Sequence, residues 1–124
     1  MPTTILFIED NTDIRENTTE LLELEGYQVI TADNGTDGIS MAKLHHPNLI
    51  ISDVVMRGMD GFEVFELLLL DHNTRDIPFI FTSAMSERSH MEKALSIGYC
   101  NYLVKPYDDK DLFLIIEKVL GFPR

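Results

Sequence analysis

The residues best suited to chemistry in this chain stand where apolar runs end. Leu49, Ile50 and Ile51 lead to Asp53, and Thr4-Ile-Leu-Phe-Ile8 leads to Glu9-Asp10. Ser83-Ala84 follows the run Pro78-Phe-Ile-Phe-Thr82, and Lys105-Pro106 follows Tyr99 to Val104. If these runs are parallel strands joined by right-handed crossovers, all four ends fall on one rim. Three carboxylates, a hydroxyl and an ammonium then share a pocket. Two carboxylates ~5 Å apart repel by roughly 3 kcal/mol at an effective dielectric of about 20. Lys105 offsets only one acid, so either a carboxyl pKa rises or a cation moves in. A hard divalent ion, Mg²⁺ ahead of Ca²⁺, suits carboxylates together with waters and a substrate phosphate. These motifs carry no His or Cys, which argues against zinc. An ionised Asp53 needs no general base to act as a nucleophile. With a metal and Lys105 neutralising phosphoryl oxygens, and with Ser83 and the Ala84 backbone N–H as donors, it can accept a phosphoryl group in line. The residues point to an aspartyl-phosphate site.

Elements of alternating type must deliver them. The consecutive apolar residues of Asn48–Met56 suit a strand buried on both faces, which a half-exposed strand would not. Helical spacing runs from Asn11 to Glu25, with Ile14, Thr18, Leu21 and Leu22 on one face, Asn11 or Thr12 as cap and Gly26 as stop. Tyr27 to Thr31 reads as a strand. Gly35 to His45 reads as a weaker helix with Gly38, Ile39 and Ala42 inward. Gly61 to Leu70 is a helix rich in Phe and Leu, with a single exposed Leu expected in Leu67 to Leu70. Ser86 to Ile97 is a helix capped by Ser86, stopped by Gly98, with Met91, Ala94 and Leu95 inward. Asp108 to Leu120 closes the chain, with Leu112, Ile115, Ile116 and Val119 on its buried stripe. Strand and helix alternate five times over short connections, which predicts a parallel sheet with helices on both faces.

The totals narrow the function. At 124 residues with 44% hydrophobic content, one domain spanning 1–124 can bury a core without disulfides or structural metal. A net charge of −11, from 21 acids against 10 Lys and Arg, disfavours direct nucleic-acid binding and anionic membranes. The start shows no basic segment followed by an apolar one, no run is long enough to span a bilayer, and Cys100 stands alone. A cytoplasmic location is the expectation, with no membrane partner.

Over nearly its whole length the chain resembles the receiver domain of two-component response regulators. The matching motifs are Glu9-Asp10, Asp53-Val-Val-Met56, Gly58-Met-Asp-Gly61, Ile77-Pro78, Ser83-Ala84 and Tyr102-Leu-Val-Lys-Pro106. The gaps agree as well: 43 residues from Asp10 to Asp53, 30 to Ser83 and 22 more to Lys105. The resemblance implies a flavodoxin-like (βα)5 three-layer sandwich with strand order 2-1-3-4-5. It implies Asp53 as phosphoacceptor, with Asp10, Asp53 and the Val55 carbonyl holding Mg²⁺ and Glu9 helping through water. Lys105 would contact the acyl phosphate, and Ser83 would swing in to bond a phosphoryl oxygen. Tyr102 would be the aromatic switch, and Lys105-Pro106 would be cis. The donor would be a phosphohistidine on a sensor histidine kinase or phosphotransfer protein. A downstream effector domain or protein would read the face made by Ser86–Ile97, Tyr99–Val104 and Asp108–Leu120, through which the family also dimerises. Beyond that self-directed transfer and slow autodephosphorylation, the resemblance implies no enzymatic turnover.

One residue departs from the family pattern: Arg57 stands where Pro is usual. Pro would stiffen that turn; Arg is either a solvated turn residue or a cation touching the acids or the phosphoryl group. Val55 and Met85, both apolar, flank the pocket where the family tunes phosphoryl lifetime, and they predict a long-lived phosphoryl group. His45, His46, His72 and His90 are expected to be solvated. An aspartyl-phosphate hydrolase would carry a second Asp two residues after its nucleophile, where this chain has Val55. A flavodoxin-like cofactor carrier would need a phosphate-cradling loop after the first strand, and Glu9-Asp10 would repel that phosphate.

Overall fold

Strands buried on both sides lose the usual alternation of polar and apolar residues. The computed structural model, which describes residues 2–84, 88–96 and 101–121, shows why the runs read as they do. Five strands, β1 (Thr4–Ile8), β2 (Gln28–Ala32), β3 (Leu49–Asp53), β4 (Phe79–Ala84) and β5 (Tyr102–Lys105), pair in parallel in the order β2-β1-β3-β4-β5. All five residues of β3, the central strand, are buried. Between and after the strands come α1 (Thr12–Leu24), α2 (Gly35–His45), α3 (Gly61–Leu69), α4 (Arg88–Ser96) and α5 (Asp109–Leu120).

Successive strand residues serve opposite faces. Leu6, Ile8, Ile50, Phe79 and Phe81 form one core with Ala42 of α2, Phe62, Val64, Phe65 and Leu68 of α3, and Ala94 of α4. Ile5, Phe7, Leu49, Ile51, Ile80 and Leu103 form the other with Leu22 of α1 and Leu112 and Ile116 of α5. Each fully buried Phe or Ile of this kind stabilises the fold by roughly 1.5–3 kcal/mol relative to exposure. Two glycines let backbones approach where a side chain has no room. A Cβ on Gly38 would strike the Ile8 side chain, and one on Gly61 would fall on the Asp53 carbonyl oxygen.

Helix starts are fixed by side chains near the same rim. Asn11 accepts from the Ile14 N–H at 2.9 Å, Asn34 from the Asp37 N–H and Asp108 from the Asp111 N–H at 2.8 Å. Asp60 and Glu63 form a reciprocal capping box at the start of α3. Each cap satisfies an orphan N–H, and together they hold the loops beside the acids.

The structure corrects several expectations. Leu67, Leu69 and Leu70 are all exposed, and only Leu68 is buried, because consecutive helical residues point about 100° apart. On α4 only Ala94 is buried; Met91 and Leu95 face outward at 40% and 60% exposure. Strand β2 starts at Gln28 rather than Tyr27. Strand β5 runs from Tyr102 through Lys105, so the ammonium belongs to the sheet itself. The Lys105–Pro106 peptide is cis, as the resemblance implied. The expected roles of Met85, Ser86, Ile97, Gly98, Tyr99 and Cys100 lie outside the described residues.

Candidate functional site

The carboxyl ends of β1, β3, β4 and β5 bring together most of the residues singled out by the sequence. Glu9 follows β1 with 1% exposure, its N–H bonded to the Ala32 carbonyl and its own carbonyl accepting from Arg15 Nη1 at 2.8 Å. Asp53, the last residue of β3, is 6% exposed. Lys105 reaches between them, with Nζ 2.7 Å from Glu9 Oε1 and 3.0 Å from Asp53 Oδ2. Asp10 completes the acid set: carboxylate oxygens of Glu9, Asp10 and Asp53 all lie within 4.8 Å of one another.

The charges at this corner do not balance. One ammonium faces three acids, two of them nearly out of contact with water. Burial, followed by the nearby Glu9 charge, pushes the Asp53 carboxyl up to about 6, although Lys105 pulls the other way. At neutral pH the group is still mainly ionised and nucleophilic. Burial alone would lower the Lys105 pKa, but its hydrogen bond to Glu9 and the charges of Asp53 and Glu9 outweigh that and raise it, so it stays a cation. The donor set is all carboxylate oxygen, three atoms close enough to share one ion, which fits a hard divalent cation and does not fit zinc.

The remaining candidates occupy the edges of this corner. Ala84 sits opposite Lys105 in the β4–β5 register, and Ser83 opposite Val104. Ser83 is 1% exposed, with Oγ 2.9 Å from His90 Nδ1. His90 is therefore not a solvated residue, as the sequence suggested, but a partner of a site hydroxyl. Tyr102 is partly buried against the core that contains Phe81 and Ala94. Val55 is half-exposed just beyond β3. Arg57 touches the acids through its backbone: its N–H lies 3.4 Å from Asp10 Oδ2, while its guanidinium makes no ion pair among the described residues.

Three contacts escaped the sequence reading. Arg15 to the Glu9 carbonyl leaves no signal in residue spacing. Thr18 Oγ1 lies 3.0 Å from the Tyr107 hydroxyl, joining α1 to the loop after Lys105. A hydroxyl on an otherwise apolar helix stripe is the signal for such a partner. His90 lies seven residues beyond Ser83, across a connection whose path no propensity specifies.

Parallel order 2-1-3-4-5, helices on both faces, and acids clasping a lysine at the carboxyl rim define a flavodoxin-like module built for phosphoryl chemistry. The chain belongs to the family described as the response regulator receiver domain, whose profile matches residues 5–117. It is a receiver domain of two-component signalling. It is 33% identical over 117 residues to protein PilH of Pseudomonas aeruginosa, covering 94% of this chain and 97% of PilH. Against other curated relatives it spans about half of their length, 47% for a probable transcriptional regulator, ycf27, of Porphyridium aerugineum. Among solved structures, the receiver domain of a histidine kinase from Syntrophus aciditrophicus superposes with a TM-score of 0.87 at 31% identity, over 96% of this chain and 90% of that one. The receiver domain of sensor histidine kinase PA1611 from Pseudomonas aeruginosa shares the fold at a TM-score of 0.89 and 24% identity, over 98% and 100% of the two chains.

Proposed function

We propose that Asp53 accepts a phosphoryl group from a phosphohistidine on a sensor histidine kinase or phosphotransfer protein. The observation that carries this reading is the buried Asp53 carboxylate set against Lys105 and two further acids. An Asp53 oxygen attacks phosphorus, the P–N bond of the donor breaks, and its imidazole leaves with the electron pair. Lys105 pairs with the transferred group, and Ser83 and the Ala84 N–H donate to its oxygens. Asp10, Asp53 and the Val55 carbonyl would hold Mg²⁺, with Glu9 acting through water. Bound there, the ion would neutralise phosphoryl oxygens that the three acids otherwise repel. The donor set supports this, as does the magnesium ion coordinated in the active-site cleft of the PA1611 receiver domain.

Residues 1–124 then act as one cytoplasmic signalling unit that turns over no external substrate. Ser83 and Tyr102 relay the modified state to the α4-β5-α5 face, where an effector domain or protein, or a second copy, reads it. The strongly acidic composition supports a protein partner rather than nucleic acid. No helix among the described residues is long and apolar enough to cross a membrane.

The test is intact-mass measurement after incubation with Mg²⁺ and acetyl phosphate. One added phosphoryl group, lost in Asp53→Ala and in excess EDTA, is the expected result. Turnover of unrelated phosphate esters would assign the site to a hydrolase instead. The apolar Val55 predicts that, once free donor is removed, the phosphoryl group outlasts seconds, because no polar side chain there can orient an attacking water.

A further inference from the structure

The Ser83 hydroxyl is already committed. It is buried, and its Oγ sits 2.9 Å from Nδ1 of His90, near the start of α4. The His90 ring meets Phe62 edge-on, with centroids 6.1 Å apart. Lys93, three residues further along α4, holds its ammonium 4.7 Å from the centroid of that same ring. Phe62 is the second residue of α3 and only 2% exposed, and the Gly61 N–H before it bonds the Val54 carbonyl just past Asp53. One anchored aromatic ring is thus gripped by two α4 side chains, and one of those also holds a hydroxyl of the site.

A serine hydroxyl has a single proton, and an imidazole Nδ1 can donate or accept according to tautomer. Whichever atom donates, the bond keeps Oγ on the α4 side. This inference rests on the reading above, in which the same Oγ bonds a phosphoryl oxygen on Asp53. We propose that His90 is a positioning residue: it holds Ser83 in the unphosphorylated arrangement, so that phosphorylation of Asp53 must break the His90 bond and loosen α4 from Phe62. His90 then opposes activation. A net hydrogen bond of ordinary strength shifts such an equilibrium roughly two- to tenfold.

The experiment follows the phosphorylated fraction by intact mass at varied acetyl phosphate with fixed Mg²⁺, in the whole chain. His90→Ala is expected to lower the half-saturating donor concentration about two- to tenfold. His90→Asn places an amide near the position of Nδ1 and is expected to stay close to the parent. In a Ser83→Ala background, His90→Ala should change nothing, which a merely structural role would not produce. The ¹⁵N resonance of His90 Nδ1 should move on phosphorylation of the parent and stay put in Asp53→Ala. An unchanged or raised half-saturating concentration in His90→Ala overturns the latch and leaves the receiver reading intact, as does the same shift in the Ser83→Ala background. Failure of the parent to take up a phosphoryl group, or uptake by Asp53→Ala, overturns the receiver reading and the latch with it.

Discussion

Helices α3 and α4 have nine residues each and pack on the same face of the sheet, yet they are held very differently. Helix α3 buries Gly61, Phe62, Val64, Phe65 and Leu68, carries a capping box and lies against the backbone that leaves Asp53. Helix α4 buries Ala94 alone, its His90 and Lys93 meet the Phe62 ring, and His90 also bonds Ser83. Few buried apolar contacts mean a low cost of local opening. The site is therefore built between a helix that cannot easily move and one that can. Under the proposed function a module whose output is a change of shape would use both, one to fix Asp53 and the other to report on its state.

Four measurements would break or sharpen this contrast. Phe65 packs edge-on against Phe79 and Phe81 at 5.2 and 5.3 Å, so Phe65→Ala should cost about 3–5 kcal/mol in urea unfolding. A loss below about 1 kcal/mol would mean that α3 is no anchor. Asp53, beside the fixed helix, comes next. Its carboxyl is raised from 3.8 to about 6, so the folded state holds that proton more tightly than the unfolded chain does. The resulting penalty is absent below the lower value, grows between the two and is complete above the higher. Asp53→Asn should thus stabilise the metal-free protein by roughly 1–3 kcal/mol at pH 7.5, with the gain vanishing toward pH 4. A gain that grows on acidification would refute the assigned cause. Native-state hydrogen exchange should show α4 amides exchanging about tenfold or more faster than those of α3, a difference of roughly 1.4 kcal/mol in opening free energy. Equal protection would erase the distinction. Leu95→Glu, on the outer side of α4, should change stability by less than about 0.5 kcal/mol; a larger loss would reveal packing absent from this arrangement.

The contrast was only half legible beforehand. Apolar runs without alternation announced strands buried on both faces, and β3 is buried throughout. The polar residues that end those runs announced the rim, and Glu9, Asp53 and Lys105 meet there within 3.0 Å. Asn11 was readable as a cap because its chemistry is local. Helix α4 was misread because periodicity finds an apolar stripe without showing whether a neighbour covers it. Met91 and Leu95 have the right spacing but stand exposed, while His90, Lys93 and Ala94 are the α4 residues that meet the fold at Phe62 and the core. Four leucines in a row at 67–70 carry no period at all, so their division between core and solvent depended on where α3 lands. His90 was missed for the same kind of reason, since its bond to Ser83 exists only through tertiary placement.

The connection from Val55 to Asp60 is drawn shut like the neck of a purse. The Gly61 N–H reaches back to the Val54 carbonyl at 2.9 Å, Gly58 supplies the one positive φ the path requires, and Asp60 locks the far end into a helix. A span tied at both ends owes little to a rigid ring in its middle, which explains how arginine can stand where the family resemblance implied proline. The exchange also adds something: an amide hydrogen beside Asp10 that no imino acid could provide.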